Sequence, residues 1–132
     1  MHVVRIQLLM NYYNIEDRQM TTRVVHVKEF KPYNKYWTNP PTGKYVYIGR
    51  VTWPIRISSK WRNLEPIDRN APDQAKERQR VLNVHKEHLL NRPELLKQIP
   101  IELKDKVLGC WCKPEPCHGD LLAAIADGNY KF

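Results

Sequence analysis

Cysteine is scarce and confined: all three cysteines of this 132-residue chain fall between Cys110 and Cys117. A secreted disulfide scaffold distributes an even number along its length, so an odd, clustered set excludes that class and points to reduced thiols in a cytoplasmic protein. Long apolar runs are missing too. The longest, Leu121 to Ala126, has six residues, against about 18–20 for a membrane-spanning helix, so no membrane partner is expected. The opening Met1-His2-Val3-Val4-Arg5-Ile6 lacks the apolar stretch and small-residue cleavage site of a signal peptide. There is no GxxxxGK[ST], HExxH or GxSxG, which leaves P-loop, zincin and α/β-hydrolase chemistry without support. Acidic residues are in the minority, 14 Asp+Glu against 22 Lys+Arg, for a formal charge of +8. That balance favours an anionic partner such as a nucleotide, nucleic acid or phosphate; a basic protein without such a partner is the plain alternative.

A chain this long closes one core, and residues 1–132 read as a single α/β domain with a small mixed sheet flanked by helices. Strands are expected over Val3–Met10, Thr22–Val27, Tyr45–Arg50 and Lys106–Cys112, where β-branched and apolar residues concentrate. Asn11 to Thr21 reads as a connection. Lys31 to Lys44 carries three prolines and three aromatics, which excludes a helix or central strand and predicts an ordered loop or flap. Val51 to Ile67 reads as irregular. The long helix is expected over Asp73–Leu90 with Pro72 in its first turn. A short helix follows Pro93, using Leu95, Leu96 and Ile99, and the last helix covers Gly119–Ala126.

The densest chemistry is Leu108-Gly109-Cys110-Trp111-Cys112-Lys113-Pro114-Glu115-Pro116-Cys117-His118-Gly119-Asp120. Strand alternation projects Cys110 and Cys112 to one face and Trp111 to the other. Cys117-His118 then falls where the last helix begins, and unpaired main-chain N–H groups there favour an anion. Three readings stand side by side. Cys117 or His118 acts on, or positions, a phosphate-bearing ligand at that helix start, with Asp120 capping or polarising and Gly119 beside them. Alternatively Cys110, Cys112, Cys117 and His118 bind zinc, in a non-catalytic module that holds nucleic acid or protein. The third reading is plain packing, since free cysteines behave as small buried hydrophobes.

Tyr47-Ile48-Gly49-Arg50, Lys60-Trp61, Gly109-Cys110-Trp111-Cys112-Lys113-Pro114 and Pro116-Cys117-His118-Gly119-Asp120 together resemble domain of unknown function 4326, a family of bacteria and tailed phages. The resemblance spans roughly Val24 to Ala126 and leaves residues 1–22 as an N-terminal addition. It implies an α/β fold and no particular activity. Lys60-Trp61-Arg62-Asn63-Leu64-Glu65 departs from the family's Lys-Trp-Gly-Asn-Pro-Phe, placing Arg62 where a tight turn would use glycine.

The resemblance makes Gly49, Arg50, Lys60 and Trp61 companions of the Cys/His block. A guanidinium at Arg50 can grip phosphate, and Trp61 can stack a base or fill the core. His85 and His88 share a helix face and are weak metal candidates. Lys76, Arg78, Arg80 and Lys86 read as a solvated helix surface. Tyr33, Tyr36 and Trp37, interleaved with Lys31, Lys35 and Lys44, suit either a nucleic-acid groove or a loop with its rings tucked inward. The expected function is recognition of a nucleotide or nucleic-acid phosphate, with nucleotide-processing or base-modifying chemistry as its enzymatic form. A protein that binds a host partner also fits the size and charge.

Overall fold

A computed structural model describes residues 20–38 and 43–130; the strand expected over Val3–Met10 and most of the connection after it lie outside that range. Strand β1 spans Arg23–His26, β2 Tyr45–Tyr47 and β3 Val107–Cys110. They form one sheet in the order β1-β3-β2. The fold class is α/β, as expected, although the sheet is not mixed: both pairings among the described residues are parallel, with Arg23 opposite Val107 and Tyr45 opposite Val107. Parallel neighbours require long crossovers, and the connection from β2 to β3 supplies one that contains helices α1 (Gln74–Leu90) and α2 (Pro93–Leu103). Helix α3, His118–Ala126, follows β3. No described helix is long and apolar enough to cross a membrane.

The alternation of side chains along the strands separates two apolar clusters. Val24, Val46, Ile48, Leu108 and Cys110 join the three helices through Leu82, Leu89, Ile99, Leu103, Leu121 and Leu122. Val25, Tyr45, Tyr47 and Val107 join Trp37, Phe30 and Trp111 on the other face. Burying each large aliphatic side chain contributes roughly 1.5–3 kcal/mol, so this sheet is covered on both sides. Its second cover is the expected flap. Asn34–Thr38 forms a π-helical turn that lays Trp37 against Gly109, where a Cβ would sit 2.5 Å from the indole. The indole N–H donates to the Val27 carbonyl at 2.9 Å. Trp37 is buried and Tyr33 and Tyr36 half-buried, so of the two readings of this segment the tucked-in one holds. Lys31 and Lys35 lie over Tyr33 and Tyr36.

Several boundaries differ from expectation for local reasons. Pro72 lies outside α1: Asp73 is the N-cap, its carboxylate accepting from the Lys76 N–H at 3.1 Å, the geometry that favours Asp at this position. Strand β2 stops at Tyr47, although the Ile48 N–H still donates to the Gly109 carbonyl at 3.0 Å. Gly49 then permits a close approach, since a Cβ there would meet the Tyr47 hydroxyl at 2.5 Å. β3 runs from Val107 to Cys110 rather than to Cys112. Arg62 completes the turn from Ser59 without glycine, its N–H donating to the Ser59 carbonyl at 3.2 Å. Pro93 opens α2 in the first turn, as its missing N–H favours.

Candidate functional site

The C-terminal ends of β2 and β3 open into a cleft of about 640 Å3. In open α/β sheets this is the edge at which ligands bind. Gly49 and Arg50 reach it from the end of β2, Cys110, Trp111 and Cys112 from the end of β3, and Cys117 and His118 from the start of α3. Six of the residues singled out in the sequence, Gly49, Arg50, Cys110, Cys112, Cys117 and His118, therefore line one cavity.

Lys60, Trp61, Gly119 and Asp120 are not among its lining residues. Lys60 donates to Gln98 at 2.8 Å and pairs with Glu102 at 2.9 Å. Trp61 is buried in the helical core at 4% exposure, so the stacking role gives way to packing. Gly119 is a contact glycine: a Cβ there would meet Ile48 at 2.6 Å and Val24 at 2.9 Å. Asp120 is buried, forms an ion pair with buried Lys113, and accepts from the Cys117 N–H at 2.9 Å. Its capping role is thus realised. The amide of Cys117, the residue just before α3, is thus taken by the protein's own carboxylate.

The sulfurs of Cys110 and Cys117 lie 3.3 Å apart, both buried, while Cys112 is exposed. The two thiols share a hydrogen bond in which either can donate, and together with the main-chain amides of Cys112 and Lys113 it holds the Cys110 thiol below its ordinary value. Cys117 is pushed up by that same hydrogen bond and by burial. His118 donates from Nε2 to the Ile48 carbonyl at 2.7 Å. Burial holds its pKa below the ordinary histidine value, so it is neutral near pH 7 and Nδ1 keeps the lone pair.

Among the described residues no group of three or more His, Cys, Asp or Glu side chains is arranged to hold a metal ion. The zinc set Cys110, Cys112, Cys117 and His118 is not assembled, since His118 Nε2 is engaged by Ile48 and Cys112 is exposed. His85 does not join His88 at a metal either. It is buried and stacks edge to face against His118, with ring centres 5.1 Å apart.

Two cationic side chains that the sequence reading left out of the site also line the cleft, Arg69 and Arg78. Arg78, read as solvated surface, is half-buried; it donates to the Pro116 carbonyl at 3.1 Å. Its signal was its place in the helix: Arg78, Leu82, His85 and Leu89 fall on one face at helical spacing, so Arg78 extends the buried stripe. Arg69 sits in an irregular segment and had no such signal. Glu65 is the carboxylate in the lining, and Arg80 neutralises it at 2.6 Å.

No solved structure matches the chain. Over 29 residues it is 52% identical to an uncharacterized 12.4 kDa protein in the nrdA-td intergenic region of Enterobacteria phage T4. That stretch covers 22% of this chain and 27% of the phage protein's length. Residues 31–128 match the family model described as Domain of unknown function (DUF4326); this span contains every residue lining the cleft, and the chain belongs to that family.

Proposed function

We propose that the cleft binds the phosphate of a nucleotide or of a nucleic acid. One observation carries the reading: Arg50, Arg69 and Arg78 converge on a single concavity, and none of them has an ion-pair partner among the described residues. Guanidinium groups match phosphate oxygens in bidentate geometry. Unpaired ones gathered in a cleft invite an anion from outside. The volume falls within the roughly 300–1,000 Å3 typical of small-ligand sites, and Val81, Leu82, Ile67 and Trp111 supply apolar wall for a base. For the enzymatic form of this function, His118 is the proton-accepting group, held neutral by burial and fixed in orientation by its hydrogen bond to the Ile48 carbonyl.

The test is calorimetric titration with a nucleoside monophosphate and with inorganic phosphate at several salt concentrations. Binding weakens as salt rises, and Arg50→Ala or Arg78→Ala each lowers affinity about tenfold or more, as expected for a lost charge-assisted hydrogen bond. Lys76→Ala, on the exposed side of α1, serves as the control and leaves affinity unchanged. Equal affinity in the arginine variants and the wild type overturns the proposal.

A further inference from the structure

Beside the cleft, residues 51–57 form a tip with an unusual distribution of apolar surface. Its base is fixed. The Thr52 N–H donates to the Ile55 carbonyl at 2.8 Å, the Ser59 N–H to the Gly49 carbonyl at 3.2 Å, and Ile55 is fully buried. Its outer side carries Trp53 at 77% exposure, with exposed Val51 next to it. Of the chain's four tryptophans, Trp37 and Trp61 are buried and Trp111 is half-buried with its indole N–H donating to Tyr47. Trp53 alone of the four stands out in solvent, on a turn anchored at its base. Arg56 lies over its ring at 5.6 Å. Arg50 and Thr52, which lead into the tip, line the cleft.

We infer that this tip is a stacking platform for a base of a single-stranded nucleic acid, so that the ligand class of the cleft is a strand rather than a free nucleotide; this rests on the phosphate reading of the cleft. An exposed indole carrying a guanidinium combines the two elements that bind single strands without sequence reading, a π-face and a cation for the backbone. The charge agrees: Arg50, Arg56 and Arg69 form no ion pair among the described residues, in a chain of formal charge +8. A duplex keeps its base faces stacked inside the helix and offers none to a protruding ring.

The experiment uses the full chain and fluorescently labelled oligothymidylate and oligouridylate of about twelve nucleotides, a duplex of the same length, and a nucleoside monophosphate. Either single strand is expected to bind more tightly than the duplex and to quench tryptophan emission. Trp53→Ala is expected to weaken strand binding about tenfold with monophosphate affinity unchanged, and Trp53→Phe to restore most of the loss. Strand binding indifferent to Trp53→Ala, duplex binding as tight as the strand, or no oligonucleotide binding at all (the outcome if the tip docks a protein) overturns the inference. Strand binding that depends on Trp53 but is unchanged in Arg50→Ala and Arg78→Ala instead overturns the cleft reading, so the two failures are distinguishable.

Discussion

The imidazoles of His85 and His118 meet edge to face, ring centres 5.1 Å apart, at the junction of α1 and α3. Nδ1 of His85 is buried without a hydrogen-bond partner, and His118 is fastened to the Ile48 carbonyl. Burial holds both below the ordinary histidine range, and His118 and His88 oppose a proton on His85. Asp120 acts in the opposite direction on His118, and Arg50 in the same direction as burial.

The pair makes the fold acid-sensitive. A histidine whose folded pKa lies below its unfolded value contributes stability that is fully present above the unfolded value, near 6.5, and is lost as pH falls. The urea midpoint is therefore expected to be level above about pH 7 and to drop between about pH 6.5 and 5. His85→Leu, which also removes the orphaned nitrogen, flattens that drop. Asp127, held below the usual carboxylate range by hydrogen bonds from Thr21 and Thr22, loses its contribution only at lower pH. A midpoint constant from pH 7 to 5 would contradict the assignment.

Lys113 and Asp120 form a buried ion pair at the turn into α3. Asp120→Asn keeps an acceptor for the Cys117 amide but leaves the ammonium unpaired, and is expected to cost about 3–5 kcal/mol in urea unfolding. Lys113→Met combined with Asp120→Asn recovers part of that loss, because no buried charge remains without its partner. Additive losses in the double variant would show that the two side chains act independently.

Thiol chemistry should separate the cysteines by access. Cys112 is exposed, whereas Cys110 and Cys117 are buried against one another. An alkylating reagent added to native protein is expected to modify one thiol rapidly and the other two only on unfolding, despite the lowered pKa of Cys110. Cys112→Ser removes the rapid phase. Mass spectrometry that finds two thiols labelled at the fast rate would refute this ordering.

The helices were the most legible part of the fold, because Val81, Leu82, His85 and Leu89 repeat at helical spacing and Pro93 marks a start. Strand lengths were less so. Ile48 to Arg50 and Trp111 to Cys112 have strand composition, yet both segments leave the sheet where the cleft begins. The sheet's direction depends on which strands pair, and no local pattern encodes that. In the site, the Cys/His block and Arg50 were readable because unusual residue types cluster in sequence. Arg69 and Arg78 join them only through the crossover that brings the β2–α1 loop and α1 to the ends of the strands. Trp61 misled because Lys60-Trp61 looks like a binding pair, although the indole packs into the core and the ammonium lying over it, 4.9 Å from the ring centre, is already paired with Glu102.

The Tyr47 hydroxyl donates to the Arg50 carbonyl and accepts from the Trp111 indole at 2.8 Å. Burial raises its pKa, so the phenol stays protonated and can make both bonds. A single cross-brace thus sets the gap between the two banks of the opening before anything enters it. In the proposed phosphate-binding role, an incoming molecule would meet an aperture braced in advance, and selection among anions would become a matter of dimensions rather than of how far the walls can be drawn together.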